Sequence, residues 1–331
     1  MGRARLSDIA KKVGVSTVTV HNALAGNKGV SEEIRKEILK VAEEMKYKPP
    51  GQKKLDASDV IYTIGVLIAE NYLAQYETFS WKMYQELAMI ATEKRCFTAV
   101  EILKKDDELS SGKLPTAVTE EKIDALIILG EIDKTYISKL KSKASIPIIF
   151  LDFYDKDLAQ DAVVADNFYG MYLMTEYMFS KGVDELGFVG SIYATSSIMD
   201  RYLGFVKSML LHGKNIEKKW VVEDRDNLGQ MKIELPKTLP RGFVCNCDLA
   251  ASMLIEKLNE RGLKVPRDIA VVGFDNYLYP GLADLKITSY EVNTRAMAKV
   301  AVEKVLKQIK TPGRGHGMEI VSGHIVLKST V

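Results

Sequence analysis

Residues 6–49 read LSDIAKKVGVSTVTVHNALAGNKGVSEEIRKEILKVAEEMKYKP. Two short helical patterns are joined by Gly14-Val15-Ser16, and a third, longer one follows. Ser7 suits the cap of the first helix, because a hydroxyl there can accept from an orphan amide of the opening turn. Ile9, Ala10 and Val13 fall on one face, Val15 plugs the turn, and Val20, Ala23 and Leu24 repeat the helical spacing. Ser31 suits the cap of the third helix, expected from about Ser31 to Met45. Glu32 and Glu33 favour the positive end of its dipole. Ile34, Ile38, Val41, Ala42 and Met45 form its expected buried stripe, and Pro49-Pro50-Gly51 ends it. Two helices crossing through a turn of this length make a helix-turn-helix, whose second helix can lie in a DNA major groove.

Charge points the same way. Residues 1–54 carry twelve Lys/Arg and six Asp/Glu, a net of +6, whereas the rest carries thirty-four and thirty-eight, a net of −4. The formal total of +2 therefore hides a basic head on an acidic body. A basic patch favours a polyanion by releasing its condensed counterions.

A chain of 331 residues implies two or three domains. With 47% hydrophobic and 27% charged residues it reads as globular. Apolar runs such as Ala125–Gly130 and Ile146–Leu151 have strand length and are too short to span a bilayer. MGRARLSD has no apolar stretch behind its arginines, so no secretory signal is read and a cytoplasmic location with no membrane partner is expected. The three cysteines, Cys96, Cys245 and Cys247, are odd in number, which argues against a disulfide framework. No His or further Cys stands near the Cys245-x-Cys247 pair to complete a metal site. No metal or cofactor is expected.

From Ile61 the pattern changes to strands alternating with amphipathic helices. IYTIGVLIA, Thr98–Leu103, Ala125–Leu129, Pro147–Leu151, LGFVGS, FVCN, IAVVGFD and GHIVLKST read as strands. Thr78–Lys94, Gly170–Lys181, Asp200–His212, Leu249–Arg261 and Thr294–Lys310 read as helices. Strands apolar throughout imply parallel sheets covered on both faces. The expected fold class is α/β: an all-α helix-turn-helix head, then a two-lobed body of doubly wound parallel sheets. The expected boundaries are a head over 1–48, a linker over 49–59 and a body over 60–331. Ligands in such sheets bind at the carboxyl ends of strands.

The head resembles the lactose/galactose-repressor family of bacterial transcription regulators. The match runs D8-I-A-K-K-V-G-V-S-T-V-T-V-H-N-A-L, then V30-S-E-E-I-R, then Y47-K-P. The body is similar to the family's periplasmic-binding-protein-like effector domain. It shares DNFYG at Asp166–Gly170, DRYLGF at Asp200–Phe205, CNCDLAA at Cys245–Ala251 and VPRDIAVVGFDN at Val265–Asn276. The similarity covers nearly the whole chain in the family's order. It implies an N-lobe of about 60–162 plus 291–321 and a C-lobe of about 163–290 plus 322–331. It also implies a homodimer on a near-palindromic operator duplex.

Carried over by position, Thr17, Val18 and Asn22 should face base edges, and Ser16, His21 and nearby lysines such as Lys28 should face phosphates. Ser7 and Thr19 complete the expected DNA-facing set. Val18 suits a thymine methyl and Asn22 an adenine edge. Many members carry Arg where this chain has Asn22 and Ser where it has His21. Leu55 is the candidate for the leucine that wedges into the minor groove in the family. Here, though, PPGQKKLDAS lacks the usual Asn-x-x-Ala-Arg run, and Gly51 and two prolines disfavour a hinge helix.

The resemblance makes Arg201, at the opening of the DRYLGF helix, a ligand-binding fork of donors. Asp275 ends the strand IAVVGFD and suits sugar hydroxyls. Asn246 and Asp248 follow FVCN, Asn71 and Tyr72 follow the first strand, and Asp152 and Phe153 follow IPIIFL. Tyr72, Phe153, Trp220 and Tyr277 are aromatics able to stack on a sugar or to fill a core. The expected effector is a carbohydrate or derivative, with a nucleobase or nucleoside as the alternative.

A solute-binding protein would share the body but needs export and lacks a DNA-reading head. An enzyme would need a constellation that is missing: no G-x-G-x-x-G after a strand, no P-loop and no G-x-S-x-G are present. His21, His212, His316 and His324 are scattered outside the cleft motifs.

Overall fold

The computed structural model describes residues 6–24, 30–45, 47, 61–73, 78–110, 112–158, 161–226, 229–277, 279, 286–313 and 317–331. Lys28, Leu55 and the 49–59 linker lie outside the described residues. The chain forms two compact units, Met1–Val60 and Ile61–Val331.

In the first unit, α1 (Leu6–Val13), α2 (Thr17–Leu24) and α3 (Glu32–Glu44) enclose a small core of Ile9, Ala10, Val20, Ala23, Ile38, Val41 and Ala42. Ser31 caps α3 by accepting from the Ile34 amide. Ser7 does not cap α1; it lies inside the helix on an exposed face. Ile34, expected in the buried stripe, is exposed.

The second unit holds β1 (Thr63–Ala69), α4 (Phe79–Glu93), β2 (Phe97–Leu103), α5 (Lys105–Leu109), α6 (Thr116–Thr119), β3 (Ala125–Leu129), α7 (Lys134–Lys143), β4 (Ile148–Leu151) and β5 (Asp161–Ala165). It continues with α8 (Asn167–Ser180), β6 (Leu186–Val189), α9 (Ser196–Leu211), β7 (Val221–Val222), β8 (Gly242–Cys245), α10 (Asp248–Glu260) and β9 (Ala270–Asp275). It closes with β10 (Thr288–Glu291), α11 (Thr294–Lys310), β11 (Met318–Val321) and β12 (His324–Val326). One sheet runs β11-β5-β4-β3-β1-β2 and is parallel throughout. The other runs β12-β10-β9-β8-β6-β7 and is parallel except for β12, which pairs antiparallel with β10. The all-apolar, fully buried β3 is what two-sided helix cover demands.

The chain passes between sheets three times: from β5 into α8, from β10 into α11 and from β11 into β12. The first sheet keeps β5 through Ala165, past the expected end of the N-lobe at 162, because β5 pairs with both β4 and β11. The crossings are packed tightly. A Cβ on Gly323 would lie 1.9 Å from the Glu291 carbonyl oxygen, so only glycine fits there. Both sheets present their strand carboxyl ends to the cleft between the lobes, where Ser197 Oγ donates across to the Asp152 carbonyl at 3.2 Å.

Candidate functional site

In the head, Ser16 caps α2: its hydroxyl accepts from the Thr19 amide at 3.0 Å. At the other end, Arg35 Nη1 donates to the Ala23 carbonyl at 2.9 Å, so α2 is held at both termini. Val20 and Ala23 are buried, which turns the opposite stripe outward. Thr17, Val18 and His21 are exposed, with Val18 at 65%, and Asn22 and Thr19 are half-buried. An aliphatic side chain this exposed in a helix whose core positions are already filled offers a contact surface. Ser7 sits on an exposed face of α1.

In the cleft, Arg201 is the hub. It lies in the second turn of α9, which begins earlier than expected, at Ser196, behind the cap Thr195. Its Nε donates to Asn167 Oδ1 at 2.8 Å and its Nη1 to the Asn246 carbonyl at 2.7 Å. Its Nη2 pairs with Asp275 Oδ1 at 3.2 Å, and both side chains are buried. Its guanidinium carbon lies 3.9 Å from the centre of the Phe274 ring. Four contacts fix one planar fork in place. Asn167 and Phe274 were not singled out from sequence, although both stand in the quoted motifs DNFYG and AVVGFDN.

Two carboxyls accompany this arginine. Burial raises Asp275 to about 6, against the opposing pull of Arg201. Burial raises Asp152, in the facing lobe, to about 7; Arg201 pulls it down and Asp275 pushes it up. Among the described residues, Asp152 Oδ1 is enclosed and has no hydrogen-bond partner, and the same is true of Ser196 Oγ. Asp152, Asp275 and Asn276 have positive φ values of 69°, 95° and 47°. Non-glycine residues held in that region gather where surrounding structure over-determines them, often at binding sites.

The other expected residues divide. Asn246 spends its side chain on the protein, donating Nδ2 to the Val189 carbonyl at 3.1 Å and to Asp224 Oδ2 at 2.7 Å. Asp248 is buried beneath the floor, accepting from Ser289 Oγ at 2.7 Å and the Tyr277 amide at 2.9 Å. Burial holds its carboxyl far above the usual range. A Cβ on Gly273 would sit 2.0 Å from Asp248 Oδ1, so glycine is what admits that carboxyl. Phe153 stacks on Phe150 at 4.4 Å in the core rather than facing a ligand. Trp220 precedes β7, at the amino ends of the strands and away from the cleft, with its indole donating to the Thr238 carbonyl. Tyr72 anchors its hydroxyl on the Glu131 carbonyl at 2.8 Å, and Asn71 is exposed in the same short turn. Tyr277 lies edge-on to Phe79 of the facing lobe, with Lys82 over its ring. Across the cleft, Glu131 Oε2 also accepts from the Ser196 amide at the start of α9 (2.7 Å), and Tyr154 donates to Asp200 (2.9 Å).

Known proteins resemble both units of the chain. Residues 5–50 match the family described as bacterial regulatory proteins, lacI family, and residues 175–331 match a periplasmic binding protein-like domain. The transcriptional repressor PurR of Photobacterium profundum is 22% identical over 99% of this chain and 98% of its own. The ribose operon repressor of Haemophilus influenzae is 22% identical with the same coverage of both chains. Among solved structures, a complex of the transcriptional regulator CelR with cellobiose superposes with a TM-score of 0.67 at 15% identity, covering 99% of this chain and 100% of that one. The lac repressor dimer bound to operator gives 0.66 at 19% identity, covering 99% of each. With a capped second helix in its head and a cleft between two parallel sheets in its body, the chain is similar over nearly its whole length to repressors of the lacI family of bacterial regulatory proteins.

Proposed function

We propose that this chain represses transcription by binding operator DNA, and that a small molecule held between the lobes sets its operator affinity. The effector is a sugar or sugar derivative. The observation that carries the effector reading is the buried Arg201–Asp275 pair facing the unpartnered Asp152 Oδ1. A hydroxyl both donates and accepts, so a polyol satisfies a donor fork and two carboxyls together. A planar base would ask for an open aromatic face, and the Phe153 ring is spent on the core. The lac repressor neighbour is a dimer on its operator, which supports a homodimer on a near-palindromic duplex here.

The chain acts in the cytoplasm, where its DNA is, and works by binding rather than catalysis. The DNA-facing set is Thr17, Val18, Thr19, His21 and Asn22, with Ser16 holding the helix and Lys28 and Leu55 adding backbone and minor-groove contacts. Effector and operator are coupled reciprocally, by roughly 1–3 kcal/mol in such switches. The test pairs two measurements. A thermal-shift screen of carbohydrates and nucleosides should find a stabilising ligand. That ligand, titrated against a duplex selected from a random library, should change operator affinity. Unchanged affinity discards the switch.

A further inference from the structure

A second guanidinium, that of Arg225, stands on the floor of the cleft. Arg225 follows β7 at its carboxyl end. Its Nε and Nη2 each bond Asp224 at 3.0 Å, a two-pronged grip that fixes the plane of the group. Asp224 is fully buried and takes two further donors, the Ser191 amide at 2.9 Å and Asn246 Nδ2 at 2.7 Å. The carbonyl of that same Asn246 accepts from Arg201. The two arginines are therefore the ends of one rigid strip, Arg225–Asp224–Asn246–Arg201, laid across the strand ends of the second lobe.

Arg225 is 23% exposed, yet its Nη1 makes no hydrogen bond among the described residues. The remaining contact of the group is Met231 Sδ, 4.0 Å from Nη2. Its hydrogen-bonded link through Asp224 and Asn246 to Arg201 sets it at the strand ends that face the cleft. The negative charge of Asp224 is shared with an amide and a carboxamide, so Arg225 retains attraction for a second anion. The planar fork of its remaining donors matches carboxylate and phosphate oxygens.

We propose that Arg225 is a specificity-determining residue of the cleft, and that the effector presents an anionic oxygen group, a carboxylate or a phosphate, to it. This deepens the sugar reading and rests on it: hydroxyls meet Arg201, Asp275 and Asp152 at one end, and the anionic group meets Arg225 at the other. The effector class is a sugar acid or sugar phosphate.

The experiment uses the full chain and a panel in which each hexose and pentose is presented three ways: neutral, as its aldonate or uronate, and as its phosphate ester. Thermal shift ranks the panel, and calorimetry measures the best anionic member and its neutral parent. The expected result is an anionic preference of about tenfold or more in Kd. Arg225→Gln should erase that preference while leaving the neutral parent's affinity in place. Arg225→Lys, which keeps charge without the fork and keeps a partner for Asp224, should retain part of it. The carboxylate and phosphate arms tell which anion is used. A neutral sugar that binds better than its acidic forms, or a preference that survives in Arg225→Gln, overturns the assignment and leaves the sugar reading standing. No shift from any member overturns both.

Discussion

Arg201 is worth more than its charge, because four partners hold it and one of them, Asp275, depends on it. Arg201→Ala should abolish the thermal shift produced by the effector and leave operator binding by the effector-free protein in place. It should also cost about 3–5 kcal/mol of stability, since a buried carboxylate loses its counter-charge. Denaturant unfolding and operator titration read the two effects separately; a shift that survives would displace Arg201 from the pocket. Asp152 gives a second test. It titrates near 7 in the folded chain and near 3.9 when unfolded. The folded state therefore holds an extra proton between those values. The associated stability is present at low pH and is lost as pH rises through about 7. Asp152→Asn, which cannot ionise, should gain stability relative to the parent as pH rises from about 4 to 8. A difference independent of pH would refute the enclosure of that carboxyl. At this scale the sequence was half legible. Asp275 and Asp152 stood at strand ends, and Arg201 near the start of a helix, where polar residues converge. Phe153 and Trp220 misled, because an aromatic after a strand reads the same whether it turns to the core or lies at the far edge. Asp248 misled because its burial depends on Gly273 in another strand.

The helix α2 was the most legible element, since a local turn and a 3.6-residue stripe specify it. Its consequence is a clean separation of fold from function. Val18 is exposed while Val20 holds the core. Val18→Asp should abolish operator binding while changing stability by no more than about 0.5 kcal/mol. Calorimetric unfolding beside a gel-shift titration checks this, and intact binding would remove α2 from the groove. The strands β5, β10 and β11 were not legible. Each is four or five residues long, and β10 and β11 carry polar side chains at Thr288, Ser289 and Glu319. They are strands because distant partners pair with them, β5 and β11 with each other and β10 with β9 and β12. Short segments of that kind leave no periodic signal. They are also the segments that join the lobes, so the sequence showed the alternation of a doubly wound body more clearly than its crossings. The start of α9 was missed for a related reason: its cap, Thr195, follows a loop rich in small residues.

For the molecule as a whole, charge asymmetry was legible from counting alone, and it predicts how binding responds to salt. Residues 1–54 carry +6 and the rest −4, which concentrates the attraction for phosphates in the N-terminal stretch. Affinity for random duplex DNA should fall by about 10³–10⁵ between 50 and 200 mM salt if six to ten phosphates are contacted. Fluorescence anisotropy across a salt series measures the slope, and a flat series would contradict a DNA-binding head.

The triple crossing between the sheets bears on how the protein is made. Lobe one is finished by α11 and β11, and lobe two by β12, all of which lie after Asn293. A ribosome releasing the chain from its N-terminus delivers the head early, as a unit able to close on its own core. Neither half of the body can complete its sheet until the residues of β11 and β12 have been made. Until then the nascent chain exposes unpaired strand edges beside apolar helices, the state in which proteins are most open to aggregation and to capture by chaperones.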